Sequence, residues 1–406
     1  MGFVPLRDKV GFSVTDFLAT QMSRSVIIWG TGFLGKCLIR QFMRAKFNQI
    51  YLTDSFKVID SPEFEGYSFT KPEQAVELAR LGEASVVVAV QPMPNSLKHR
   101  LSEAGLREGI EFIGIQRLSR PSPVVDIYDA AARAFMREDY AKLLADKLAS
   151  DYPDVFQIDI SSNGYSFYNP EVAEVALVFE KVAPCTLSFK SSCFYPERVR
   201  RCIDVGISQI TFLAGYHSSE SEIEALRGFA ALLSERGSEG LKSEIRVRYD
   251  VFKSNLENLT DLRGECARLR LPFVAALGYP NHYDSLVHCD DGQVDSLVRP
   301  HSIAWSFTVA KELAMRDRGH PCLCERVFPV VAATGEARLC HLYSEVALSK
   351  DYVSLSRAEL RSMRAEASHC RKCQSQGLHR LDVAVLERRH GTPIASESFR
   401  MLRDSK

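Results

Sequence analysis

The chain has 406 residues, 46% of them apolar and 25% charged, with 51 basic and 51 acidic side chains and a formal net charge of zero. Those values suit a globular protein of two or three domains with a sizeable core. The balanced charge argues against a general nucleic-acid binder, which needs a basic excess to hold phosphates. No run of about 18 apolar residues is present to span a membrane.

The opening stretch MGFVPLRDKVGFSV lacks a basic segment followed by a long apolar one, so the expectation is an unexported, cytoplasmic protein with reduced thiols. It starts Met-Gly, but Leu6 stands where myristoylation asks for Ser or Thr.

The first domain is expected over 1–118. SVIIW (25–29), IYLTD (50–54), SVVVAV (85–90) and IEFIGI (110–115) read as buried strands, and helix-patterned segments separate them. Alternation of this kind predicts a parallel sheet covered on both faces. GTGFLG places Gly30, Gly32 and Gly35 directly after the first strand and at the start of a helix. In a Rossmann-like fold these glycines serve a tight turn, close approach of a pyrophosphate, and close helix–strand packing. Asp54 ends the next strand, 19 residues beyond Gly35, where an acid meets a ribose hydroxyl. The expected ligand is NAD(P) or another nucleotide; the alternative is that the glycines serve only the turn. The domain also resembles, at fold level, the small nucleotide-binding modules of sugar-modifying acyltransferases, which suggests a nucleotide or sugar-nucleotide ligand.

SRPSPVV (119–125) marks a boundary. A second domain, 119–315, continues the βα alternation, with strands at 155–161, 185–191, 207–215, 245–252 and 272–279. Repeated βα units fit a full or partial (β/α) barrel of the TIM type. Tyr249, Asp250, Lys253, His217 and His282 lie near its predicted strand ends, where barrel enzymes keep catalytic groups. Cys37, Cys185, Cys193, Cys202, Cys266 and Cys289 sit in mixed or apolar segments and read as core filler.

The last five cysteines cluster in the third domain, 316–406. Cys324 and Gly335 have ten residues between them, four more separate Gly335 from Cys340, and Cys370 and Cys373 form a CxxC pair. Two such pairs make a four-sulfur site for an iron–sulfur cluster or for a structural zinc ion. Cys322 is an alternative to Cys324.

Residues 322–373 resemble the SPASM domain of radical S-adenosylmethionine (radical SAM) enzymes, through Cys324, Gly335, Cys340, Cys370 and Cys373. That resemblance implies one auxiliary [4Fe–4S] cluster. His379 stands where the longer family pattern has a cysteine, and is expected to be a surface residue rather than a ligand. Residues 123–315 resemble the partial barrel of the same family: Asn163, Gly164, Tyr165 and Ser166 stand at its Gly-Gly-Glu-Pro segment, and Asn255 ends the fifth strand. Its ligand loops map to Ser161–Ser166, Lys190–Cys193, Leu213–His217 and Lys253–Asn255. The defining CxxxCxxC, which follows the first strand in that family, occurs nowhere in the chain, and the segment after the expected first strand VVDIYD (124–129) has no cysteine. The resemblance therefore implies a relative that no longer cleaves S-adenosylmethionine and that binds a substrate, peptide or partner enzyme, or carries electrons, in a sugar, polysaccharide or peptide-modifying pathway. The alternative is an NAD(P)-dependent oxidoreductase with a structural zinc site.

Overall fold

The computed structural model describes residues 25–381 except 48, 56–63, 65, 91–92, 116–117, 119, 131, 161–163, 236–241, 278–306, 321, 323 and 325–327, together with Val14 and Phe17. The protein is α/β. Two compact units divide it: one holds the described residues up to Pro121 and returns for Tyr152–Gln157, and the other holds Ser122–Asp151 and the chain from Ile158. Among the described residues, no helix is long and apolar enough to cross a membrane.

The first unit is a five-stranded, wholly parallel sheet: β1 (Ser25–Trp29), β2 (Ile50–Thr53), β3 (Ser68–Phe69), β4 (Ala84–Val88) and β5 (Phe112–Gly114), in the order β3-β2-β1-β4-β5. Three of its helices are α1 (Phe33–Arg44), α2 (Pro72–Arg80) and α3 (Asn95–Glu103). Alternation in β1 sends Val26 and Ile28 into one core with Cys37, Leu38 and Phe42 of α1. Ile27 and Trp29 enter a second core with Ala75 and Ala79 of α2 and Leu101 of α3. A strand buried on both faces has no polar side to show, which is why its sequence reads as an unbroken apolar run. The exposed two-residue edge strand β3 has no such run and escapes a reading by periodicity.

The second unit is built on a nine-stranded sheet. Val124–Val125 (β6), Ile158–Ile160 (β9), Cys185–Lys190 (β10), Gln209–Ala214 (β11), Glu244–Val251 (β12) and Phe273–Leu277 (β13) lie side by side, parallel and in chain order. Helices α4 (Glu138–Asp151), α5 (Val172–Val182), α6 (Pro196–Asp204), α7 (Ser219–Ser234) and α8 (Leu259–Arg268) connect them. The expected first strand 124–129 is shorter than predicted. It leaves the sheet at Asp126, and Tyr128–Asp129 (β7) pairs instead with Ala134–Phe135 (β8) in a separate hairpin. β14 (Val330–Val331) adds to the free edge of β6 in parallel, and β15 (Ala337–Arg338) and β16 (Ala347–Ser349) extend the sheet antiparallel. The strand order is linear from β13 to β16, so among the described residues the sheet is open.

Its two faces differ in chemistry. Leu187 and Phe189 point to the helices, where Phe189 meets Phe212 at 5.2 Å and Phe229 of α7 at 5.3 Å between ring centroids. The alternate residues Asp159, Thr186, Gln209 and Glu244 are register neighbours on the opposite face, as are Lys190, Leu213 and Arg248 two same-face steps further along. Because side chains alternate along each strand, one face is apolar and the other is lined by charge.

Space is tightest at the glycine turn. A Cβ on Gly35 would stand 2.1 Å from the carbonyl oxygen of Gly30. Gly35→Ala is therefore expected to destabilise the first unit by about 3 kcal/mol, read as an earlier transition in urea unfolding followed by Trp29 fluorescence.

Candidate functional site

The segment carrying the C-terminal cysteines is held by β14, by a turn at Gly335 with φ +89°, and by β15. Gly335 is required twice over, since a Cβ there would also stand 2.5 Å from the Tyr140 hydroxyl. Cys340 follows β15 and opens a single 3-10 turn, His341–Tyr343. Helix α9 (Phe307–Arg316) precedes this segment. Helix α10 (Arg357–Glu366) begins with a capping box in which Ser356 and Glu359 satisfy each other's backbone N–H groups. Cys370 and Cys373 lie three residues apart on α11 (Ser368–Ser375), so both project from one helical face.

Cys324, Cys340 and Cys373 are buried, Cys322 and Cys370 are half-buried, and all five are free thiols. They are electrostatic neighbours. Hydrogen bonds with Cys322 and Cys340, and then burial, hold the Cys324 thiol well above its usual range. The bond from Cys324 is the main reason that Cys340 lies below its own. Burial, then Cys322, Cys340 and Cys370, pushes Cys373 up to about 12. The four sulfurs selected by spacing therefore share one neighbourhood, and Cys322 joins them as a fifth. Among the described residues, no three Cys, His, Asp or Glu side chains are set as ligands of one ion.

The chemistry of the donor set nonetheless fits a thiolate-bound metal, and Arg364 is the observation that tests it. Its side chain lies beside Cys322 Sγ, to which it donates at 3.5 Å, and over the Phe328 ring at 5.1 Å. Arg364 is 7% exposed and has no carboxylate partner among the described residues. A buried cation of this kind needs an anion. The thiols around it supply one when they are deprotonated, as they are on a metal. His379, expected at the surface, is buried; its Nε2 lies 3.0 Å from the His320 carbonyl oxygen, so it braces backbone.

In the first unit, Gly30 (φ +111°), Gly32 and Gly35 shape the link from β1 to α1, with Gly32 in extended backbone at the helix N-cap. The order of the sheet reverses at β1, the position where open α/β sheets leave a crevice. Asp54 is brought to the same edge. Its Oδ2 accepts bonds from the Thr31 N–H at 3.0 Å and the Thr31 hydroxyl at 2.9 Å, so this carboxylate braces the glycine turn itself.

At the carboxyl ends of the larger sheet, Asp250 accepts the Tyr216 hydroxyl and, at 2.8 Å, Nε of Arg248. Glu222 of α7 accepts the backbone N–H groups of Gly215, Tyr216 and His217, which fixes the loop after β11. Tyr249 faces the helices, and its hydroxyl donates to the Asn255 carbonyl at 2.7 Å, so it is a packing residue. Lys253 begins the 3-10 turn Lys253–Asn258. His282, Cys289 and residues 161–163 lie outside the described residues, while Cys37, Cys185, Cys193, Cys202 and Cys266 are buried as expected. Sequence reasoning missed Arg248, Arg364 and Asp126. A charged residue in a strand or helix carries no periodic signal that tells a buried partner from a solvated one.

Asp126 follows β6, with its N–H bonded to the Val331 carbonyl at 2.8 Å and its Oδ1 sealed from solvent without a partner. Burial, then the nearby Asp129, raises its carboxyl from 3.8 to about 7, against the pull of Arg338. The folded protein thus keeps a proton that the unfolded chain releases near pH 3.8. The resulting stabilisation is complete below that pH and is lost as the pH rises toward 7. Asp126→Asn is expected to flatten this decline and to add about 1–3 kcal/mol at mildly alkaline pH, measured by urea unfolding across the pH range.

Compared with known protein families and with curated proteins, the chain matches none.

Proposed function

We propose that this protein is an iron–sulfur component of a biosynthetic pathway, built like the radical SAM/SPASM proteins but without S-adenosylmethionine cleavage. It binds a substrate or partner enzyme, or relays electrons, in sugar, polysaccharide or peptide modification. The observation that carries this reading is the buried Arg364 guanidinium, which has no carboxylate partner among the described residues, set among Cys322, Cys324, Cys340 and Cys370. Six parallel strands in chain order, with the cysteine segment joined to the edge of the first, support the likeness to a partial barrel followed by a SPASM-like module. Cys324, Cys340, Cys370 and Cys373 would hold the cluster, and a cluster held there supplies one-electron chemistry.

This chain's own residues have separable tasks. Helix α11 presents two sulfurs from one face, and the Gly335 turn with the Cys340 turn presents a third. Arg364 balances the negative charge that thiolates bring into a buried place. The chemistry that begins radical SAM catalysis needs three further thiolates in CxxxCxxC spacing, and the sequence has none. The glycine turn, braced by Asp54, and the helix N-terminus that follows it give the first unit an edge suited to a nucleotide or sugar-nucleotide.

Anaerobically purified protein is expected to be brown and to contain about four iron and four sulfide per chain. A colourless protein carrying only zinc would overturn the iron–sulfur assignment. Replacing Cys370 and Cys373 by Ala should remove most of the metal and make the segment after residue 320 protease-sensitive; unchanged metal content refutes the ligand set. Reduced protein given S-adenosylmethionine is expected to form no 5′-deoxyadenosine, measured by liquid chromatography.

A further inference from the structure

Lys190 is the last residue of β10, on the face of the sheet opposite the aromatic core. Gly164, at φ +82°, makes room for its stem: a Cβ there would lie 2.9 Å from Lys190 Cγ and 3.0 Å from Leu213 Cδ1. The Lys190 backbone N–H also donates to the Gly164 carbonyl at 3.1 Å. The ammonium that results is held between two rings, with Nζ 4.7 Å from the centroid of Tyr165 and 4.1 Å from that of Tyr216.

Ring faces attract a cation but carry no net charge, so this pair positions the ammonium without neutralising it. Asp250 is the carboxylate that acts on Lys190, and it is already bound by Arg248 at 2.8 Å and by the Tyr216 hydroxyl. No ion pair involves Lys190 among the described residues. Burial lowers the Lys190 pKa, the sign of a charge short of solvent and of counter-ions.

Beside this ammonium runs a row of tyrosines. Tyr165 stacks on Tyr168 at 6.2 Å, and Tyr168 also meets Tyr128 at 5.1 Å and Tyr195 at 6.0 Å between centroids. Tyr195 is 38% exposed. Tyrosine faces next to a fixed positive charge, at the carboxyl ends of parallel strands, combine stacking with charge recognition in the place where open α/β sheets bind ligands. The phenol hydroxyls and the Arg248–Asp250 pair add donors and acceptors suited to hydroxyl groups.

We propose that this edge binds a small anionic sugar, with Lys190 holding the phosphate or carboxylate and the tyrosines stacking against the ring. This names a ligand class for the substrate-binding role proposed above. It uses none of the cysteine segment, so it stands or falls separately from the metal centre.

The test is calorimetric titration of the anaerobically purified full chain with glucose 6-phosphate, glucuronate, glucose and inorganic phosphate, with metal content measured on every sample. The two charged sugars should bind more tightly than glucose, and more weakly as salt rises. Glucose 6-phosphate should also bind more tightly than inorganic phosphate. Lys190→Gln should weaken both charged sugars by at least about tenfold, the loss expected for one charge-assisted hydrogen bond, with metal content unchanged. Tyr168→Ala should weaken glucose 6-phosphate and leave inorganic phosphate as before. Preference for glucuronate over glucose 6-phosphate, or the reverse, identifies the anion as carboxylate or phosphate within the same proposal. The proposal is overturned if neither charged sugar binds, if Lys190→Gln binds them as the parent does, or if their binding is insensitive to salt. The salt and glucose comparisons use only the parent protein, so a variant that fails to fold does not remove the test.

Discussion

The backbone pairing of β14 with β6 is the constraint on which the second unit depends. The Val124 N–H donates to the Pro329 carbonyl at 3.0 Å, and the Asp126 N–H to that of Val331 at 2.8 Å. Two hydrogen bonds thus fasten a segment some two hundred residues further along the chain to the free edge of the first parallel strand. An unpaired strand edge is a row of unsatisfied donors and acceptors, and covering it satisfies both strands at once. From that anchor, β15 and the turn after it put Cys340 in position, and α10 and α11 bring Arg364, Cys370 and Cys373 alongside.

Charge decides what the anchored segment can hold. Thiols in a buried place resist ionisation, as the raised Cys373 illustrates. A guanidinium in the same place favours it. The two tendencies oppose each other; a metal bound as proposed would replace the thiol protons and let the arginine and the thiolates satisfy each other. A half-buried cation also stands at the carboxyl end of β10, an interior strand of the same sheet. There Lys190 Nζ lies against two aromatic faces, while the nearby carboxylate is engaged by Arg248 and Tyr216.

The parallel sheets themselves follow from simple rules. Strands between two apolar cores, as in β1, need apolar residues at every position, and strands with one apolar and one polar face, as in β10, alternate. The glycines at 30, 35, 164 and 335 each stand where backbone or a neighbouring side chain fills the space a Cβ would take. They mark points at which the chain was shaped around something fixed: the carbonyl of Gly30, the stem of Lys190, or the hydroxyl of Tyr140.

Sequence alone determined the α/β class, the parallel strands and the glycine turn, because apolar period and glycine spacing are local properties of the chain. It also singled out Cys324, Cys340, Cys370 and Cys373, whose spacing is unusual on its own. Only the tertiary structure decided that Cys322 joins them, that Arg364 lies in their midst, that His379 is buried, and that Asp54 turns to Thr31. Each of these depends on residues distant in sequence meeting in space, and a charged or polar side chain looks the same in a sequence whether its partner is water or another buried group.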